Sequence, residues 1–368
     1  MRVLIAPEEF AGTLSAAEAA SAIARGWRRQ VPADTVRCLP VASAGPGFAG
    51  VLAAALGGSV DVVTVAGPLG TPMPVGLVRA GSSVYIESAQ ACGRGLEPQE
   101  HPMRASSLGI GQAITAAAES GARRIVVGLG GVSTLDGGAG LLAGLGATAE
   151  VTLDAGPEGL DGITGRVDLS AARARLAGID LIAAVDETAP LLGLFGAART
   201  SGRRTGLSEE QLWRADRLLD SFVDAVCGRL PSERRIADVP GAGAAGGLGF
   251  ALAVLGADLR PGVEVVLDAL GFDNALAGAD LVVTGVGAYD VASRSGTAVF
   301  GVAQAAARRA RPCIVLAGRV DVGAREMRAM GVESAYALTD LLGESAALAD
   351  PHGSLEDLAR RVARTWSV

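Results

Sequence analysis

The chain of 368 residues has a formal charge of −7, is 49% hydrophobic and 19% charged, and contains no lysine. This balance fits a globular protein and excludes a chain that is mainly disordered. An acidic chain whose arginine pairs are dispersed (Arg28/Arg29, Arg203/Arg204, Arg234/Arg235, Arg308/Arg309) lacks the clustered positive charge of a nucleic-acid binder.

The length sets a prior of roughly two domains. Cys38, Cys92, Cys227 and Cys313 are far apart with no CxxC spacing, so they read as small buried residues in a reducing compartment, not as zinc ligands. No apolar run reaches the roughly 20 residues of a membrane span, and the start lacks a signal-peptide pattern. A cytoplasmic protein with no membrane partner is expected.

In chain order, residues 1–6 form an apolar strand. Ser15 caps a helix over 16–29, with Glu18 completing a capping box. A strand over 35–40 leads into the loop Ala42-Ser43-Ala44-Gly45-Pro46-Gly47 and a helix over 48–56. Strands at 60–65, 75–78 and 83–86, with a turn at 68–72, form a local antiparallel meander and mark a second domain. A helix over 108–120 precedes a buried strand at 124–129 and a glycine-rich turn at 130–140. Another strand spans 181–186. The polar section 200–238 begins as an arginine-rich loop and continues as an amphipathic helix from Ser208. After residue 263 the pattern is plain βαβ: strand 280–285, helix 298–310, strand 313–317, helix 323–330, strand 334–338 and a helix over 355–365. The expected architecture is α/β: one parallel-sheet domain built from both chain ends (1–58 and 265–368) and an inserted mixed α/β domain (59–264).

Residues 240–250 hold five glycines and three alanines in eleven positions. With an apolar helical run after Gly249, two readings stand. The turn sits at a helix N-terminus whose N–H groups hold an anion, or it lets the main chain pack closely. The stretch Gly128-Leu-Gly-Gly-Val-Ser-Thr-Leu-Asp136-Gly-Gly-Ala-Gly140 also follows a strand and opens a helix, with Thr134 and Asp136 beside its glycines. Asp136 is a functional acid or an N-cap. Asp186, at a strand end, suits a substrate or metal role or caps a loop, and Glu87 is read the same way. Asp290 lies among uncharged neighbours. His101 and His352 read as surface residues, and Tyr289 as a ligand contact or a packing residue.

Together these two stretches and Asp280-Leu-Val-Val-Thr-Gly285 resemble the glycerate kinase family of two-domain α/β type. Ala6-Pro7, Phe10, Gly12, Ile86-Glu87, Pro190-Leu-Leu-Gly193, Leu259-Arg-Pro-Gly262 and Val266-Leu-Asp-Ala-Leu-Gly271 extend the resemblance in order over nearly the whole chain. It implies a flavodoxin-like domain plus an inserted one, and ATP-dependent phosphoryl transfer, with Mg²⁺, to glycerate or a related small hydroxy acid. Carried onto this sequence, Asp136, Asp186 and Asp290 are the candidate catalytic residues. Glu87, Gly130, Gly131, Thr134, Gly137, Gly138, Arg203, Arg204, Gly241, Gly243, Gly246, Gly247, Thr284 and Gly285 are the candidates for binding substrate or nucleotide, and no residue is assigned to a metal.

The sequence departs from the family's polar motifs where the chemistry belongs. The family lysine of Asp-Ser-Phe-Lys-Gly is Ala11, its Asp-Gly-Gly-Glu-Gly loop is Ser43-Ala44-Gly45-Pro46-Gly47, and its Asn before Asp136 is Leu135. Cys-Asp-Val-Asp-Asn-Pro reads Val185-Asp186-Glu187-Thr188-Ala189-Pro190. Gln-Lys-Gly reads Arg204-Thr205-Gly206, where Arg203 or Arg204 stands in for the cation. Gly-Glu-Gly-Arg-x-Asp-x-Gln with its later Gly-Lys reads Gly285-Val-Gly-Ala-Tyr-Asp290-Val-Ala292, then Gly296-Thr297. Loss of one preorganised polar contact costs roughly 10²–10³ in rate, and such losses are strongly non-additive. A second reading follows: a homologue that has lost catalysis and binds a ligand or protein partner through the same cleft.

Overall fold

A computed structural model describes the chain except for residues 11, 97–100, 295 and 368. Ala11, the position of the missing family lysine, lies outside the described residues. The chain divides into two compact units. One comprises Met1–Ser43, Gly50–Leu56 and Val263–Val368; the other comprises Ala44–Ala49 and Gly57–Gly262.

The first unit is built on a five-stranded sheet of β1 (Arg2–Ile5), β2 (Thr35–Cys38), β9 (Leu281–Tyr289), β10 (Cys313–Val320) and β11 (Ser334–Ala337). The order is β11-β10-β9-β1-β2 and every pairing is parallel. Counted within the unit this is the 2-1-3-4-5 order of flavodoxin-like folds, with its switch point between β1 and β9. Parallel strands are covered on both faces, so they read as continuous apolar runs. Alternate residues accordingly enter two cores: Val3, Ile5, Leu281, Val283, Ile314 and Leu316 on one face, and Leu4, Val282, Cys313 and Val315 on the other. The first helix, Ala16–Gln30, opens with the expected Ser15–Glu18 capping box and buries Ile23 and Trp27.

The second unit holds a six-stranded mixed sheet in chain order: β3 (Ser59–Ala66), β4 (Pro72–Ala80), β5 (Ser83–Glu87), β6 (Arg124–Leu129), β7 (Asp180–Val185) and β8 (Asp258–Pro261). The β3–β4–β5 meander is antiparallel, and the pairings from β5 to β8 are parallel. β8 has no counterpart among the predicted strands, since four residues that include an Arg and a Pro give no apolar alternation. The predicted arginine-rich loop after residue 200 contains part of a helix, Ala197–Arg204, which buries Ala197, Ala198, Ser201 and Gly202 and turns Arg203 and Arg204 outward while Arg199 packs on Trp213. Ala and Arg favour the helix while Thr, Ser and Gly in its middle weaken it, and packing of the small residues sets its buried face. The amphipathic helix beyond it runs Glu209–Cys227 with Ser208 as its cap. No helix among the described residues is long and apolar enough to cross a membrane.

Candidate functional site

In the second unit the register of the parallel strands brings several candidates to one edge. Glu87 is paired with Gly128, Leu129 with Val185, and Val185 with Pro261. Glu87, Gly130, Gly131, Asp186 and Gly262 therefore follow one another along the carboxyl ends of β5–β8, the end at which open α/β sheets bind ligands.

The segment Ala44–Ala49 is held on this edge by both acids. The Ala44 N–H donates to Oδ1 and Oδ2 of Asp186 at 2.9 Å each. The Ala49 N–H donates to Glu87 Oε2 at 3.0 Å. The helix Phe48–Leu56 starts after Gly47, which lies at φ 87° and supplies no side-chain cap. Glu87 thus provides from another element the carboxylate that a helix N-terminus favours. Gly262 also tolerates no side chain: a Cβ there would stand 2.5 Å from Ala44 Cβ and 2.6 Å from Asp186 Oδ1.

Asp136 is fully buried and its carboxylate is taken up by the chain. It accepts from the Ser107 N–H at 2.8 Å, from Ser107 Oγ, and from the N–H groups of Gly138 (2.9 Å) and Gly140 (3.1 Å). Burial pushes its pKa above the usual carboxylate range, while the donors from Ser107, Gly138 and Gly140 pull the other way. The N-cap of the helix Ala139–Gly144 is Gly138, without a side-chain cap; the Asp136 carboxylate holds the turn that leads into that helix. Thr134 Oγ1 is buried without a hydrogen-bond partner of standard geometry, near the Cys92 thiol, which burial pushes up to about 12.

Residues 241–250 are all buried. Ala245, Gly246 and Gly247 are left-handed at φ 54°, 70° and 99°. A Cβ on Gly246 would lie 1.9 Å from the Thr134 carbonyl oxygen, and Gly137 N–H donates to the Gly246 carbonyl at 3.0 Å. The N–H groups of Gly246, Gly247 and Phe250 bond to Ser201 Oγ and to the carbonyls of Gly243 and Ala242. Gly241, Gly243, Gly246 and Gly247, with Gly137 and Gly138 opposite, form a seam where main chain packs on main chain. The contacts here are those of the close-packing reading.

Arg203 and Arg204 are exposed and paired with acids: Arg203 with Glu209 at 2.9 Å and Arg204 with Glu187 at 3.6 Å. Arg199, beside them, stacks on Trp213 at 4.0 Å and also pairs with Glu209.

The other candidates belong to the first unit. Thr284 Oγ1 is buried and donates to the Ala6 carbonyl at 2.8 Å. Gly285 accepts from the Glu8 N–H at 3.0 Å, and a Cβ on it would meet the Leu316 carbonyl oxygen and the Phe10 ring. The Asp290 N–H donates to Ser293 Oγ. Thr297 caps the helix Ala298–Arg308, and Glu8 accepts from the Ala298 N–H at 3.3 Å. His101 is exposed, His352 lies against Arg25, and Tyr289 is a packing residue at 1% exposure. Sequence reasoning missed Glu8, Ser107 and Gly262 as site-forming residues. Gly262 stood within a quoted motif, but nothing in the sequence signals which backbone it must approach.

Comparison with known proteins gives these features a family. The profile of the glycerate kinase family matches residues 3–367. A glycerate kinase of Bacillus subtilis is 36% identical, covering 92% of this chain and 90% of its own. The glycerate 2-kinase of Escherichia coli is 35% identical over 93% and 92%, and an uncharacterized Mycobacterium tuberculosis protein is 39% identical over 99% and 91%. The crystal structure of a protein assigned as glycerate kinase 2 from Salmonella typhimurium LT2 superposes with a TM-score of 0.81 at 34% identity, covering 99% of this chain and 98% of that one. The two-unit α/β chain belongs to the glycerate kinase family.

The family implies ATP use; Mg²⁺ is expected from the resemblance alone. Among the described residues no group of three or more His, Cys, Asp or Glu side chains is arranged to hold a metal ion. Both oxygens of Asp186 and Oε2 of Glu87 accept from main-chain N–H groups, so part of the lone-pair set that a hard cation requires is already engaged. The described residues do not form an all-protein cage for Mg²⁺.

Proposed function

We propose that this protein transfers the γ-phosphoryl group of ATP to a hydroxyl of glycerate or a related small hydroxy acid. The observation that carries this reading is the convergence of Glu87, Gly130, Gly131 and Asp186 on the carboxyl edge of β5–β8, in a chain of the glycerate kinase family. In this reading the substrate lies against the 44–49 segment, whose Gly45 and Pro46 pack on the side-chain-free Gly130 and Gly131. Glu87 and Asp186 set the shape of the edge through the 44–49 segment. Asp136 and residues 241–247 act as scaffold in this reading. Asp290, Thr284 and Gly285 stand in the first unit, where the switch point between β1 and β9 is the natural ligand crevice. The nucleotide and hydroxy acid are the partners, and a cytoplasmic setting fits both.

A second reading keeps the scaffold and drops the chemistry, so that the protein binds a ligand or a protein partner. Arg203 and Arg204, the cations standing nearest the place of the family lysine, pair with Glu209 and Glu187, and the chain has no lysine to replace them.

A coupled assay for ADP with Mg-ATP and glycerate, run beside calorimetry with ATP alone, separates the two. Turnover above the ATPase blank removes the second reading. ATP binding without turnover removes the first, and so does the absence of both.

A further inference from the structure

We infer that Asp186 and Glu87 are positioning residues that fix Ala44–Ala49 on the sheet edge, and that they are not ligands of a divalent cation. The inference takes the edge used by the proposed function as its site and deepens that reading.

The segment brings no acid of its own: its polar family positions are Ser43 and Pro46. Its main chain turns instead to the two acids that remain. Asp186 receives one N–H on both oxygens at 2.9 Å, and Glu87 receives the first-turn N–H of a helix that begins at an uncapped glycine. Charge-assisted bonds of this kind are stronger than neutral ones and fix direction. The surrounding packing follows the same plan. A Cβ on Gly130 would stand 2.7 Å from Gly45 Cα, one on Gly131 2.8 Å from Pro46 Cδ, and one on Gly262 2.6 Å from Asp186 Oδ1. Small residues therefore bring the segment's main chain against the carboxylate, where a hydrated cation with near-octahedral geometry needs room.

The two roles respond differently to amide variants. Asn and Gln keep an oxygen that accepts an N–H but lose the negative charge that holds a metal. Deuterium exchange is measured on a peptide covering residues 43–50 in wild type, Asp186→Asn, Asp186→Ala, Glu87→Gln and Glu87→Ala. The amide variants are expected within about 3-fold of wild type, and the alanine variants faster by about 10-fold or more, a tenfold change in local opening being the loss of roughly one such bond. In parallel, MnCl₂ alone is titrated by water-proton relaxation, and ATP affinity is compared in MgCl₂ and in EDTA. The expected result is no Mn²⁺ site lost with Asp186→Asn, since the carboxylates add no metal contact; ATP affinity in either buffer bears only on the phosphoryl-transfer reading.

Equal exchange in Asp186→Asn and Asp186→Ala overturns the inference, as does a tight Mn²⁺ site that Asp186→Asn abolishes. If ATP does not bind, the phosphoryl-transfer reading falls, while the exchange and Mn²⁺ results still decide this one. If an alanine variant does not fold, near-wild-type exchange in the amide variant together with an unchanged Mn²⁺ titration supports the inference.

Discussion

Two regions of the second unit hold main chain in place by opposite means. Along the seam of 134–138 against 241–249 the glycine main chain meets other backbone at Gly246 and Gly247 and apolar side chains at Gly137 and Gly138. The backbone closes on itself because Gly246 and Gly247 have no Cβ, and the cost is three successive left-handed residues, Ala245 among them. Along the edge of β5–β8 the segment 44–49 is held by carboxylates, with N–H donors on Asp186 and Glu87. The first device is steric at its glycines, with the buried Asp136 carboxylate holding the turn beside them. The second is electrostatic and leaves its acids half-open to solvent or buried at a sheet end. Both are rich in glycine in the sequence, and only the partners distinguish them.

The largest effect expected from breaking this contrast is in the seam. Gly246→Ala drives a Cβ to 1.9 Å from a carbonyl oxygen at φ 70°, and should cost roughly 3–5 kcal/mol in denaturant unfolding. Gly121→Ala is the control, at φ 82° with nothing within 4 Å, and should lose only about 1–2 kcal/mol. Equal losses at the two sites would remove the steric account of the seam. Next comes Asp136→Ala, which strands the buried donors of Ser107, Gly138 and Gly140; about 3 kcal/mol is expected by the same measurement, and a loss near zero would return Asp136 to the catalytic candidates. Gly262→Ala tests the acid-anchored edge by wedging Ala44 away from Asp186. A loss of about 1–3 kcal/mol is expected, with faster exchange at 43–50 and unchanged exchange at 241–250.

Smaller effects sharpen the comparison on the electrostatic side. Exposed ion pairs contribute little, so Arg203→Ala and Arg204→Ala should leave the melting temperature unchanged. If either variant abolishes ATP binding, its guanidinium serves the nucleotide and not Glu209 or Glu187. The pH dependence has two signs. The raised pKa of Asp136 means that its contribution is full below the ordinary Asp value and is lost as pH rises through the raised one. Asp280, held at about 2 by its hydrogen bonds from Arg2, contributes above the ordinary value and loses that contribution as pH falls toward 2. Melting curves against pH for wild type, Asp136→Asn and Asp280→Asn separate these opposite slopes; the same slope change in both variants would contradict the assignment.

Much of the fold was legible from local pattern. Ser15 with Glu18 marked a helix start, the runs 3–5 and 281–283 marked buried parallel strands, and the clustered strands between 59 and 87 marked an antiparallel meander. β8 and the helix Ala197–Arg204 were not legible, because short or polar segments take their conformation from what they pack against. The candidate site was legible only as a set of residue types. Glu87, Gly130, Gly131 and Asp186 were named individually, but their assembly depends on the strand register. The glycine stretch announced close approach without saying whether an anion or another backbone would approach.

By itself the sequence determined the α/β class, the order of most elements and the identity of the remaining acids and glycines, since periodicity and residue type are local properties. The tertiary structure decided what those residues hold. Hydrogen-bond partners and close approaches join positions as remote as Ala44 and Asp186 or Thr134 and Gly246, and no spacing along the chain encodes such a distance.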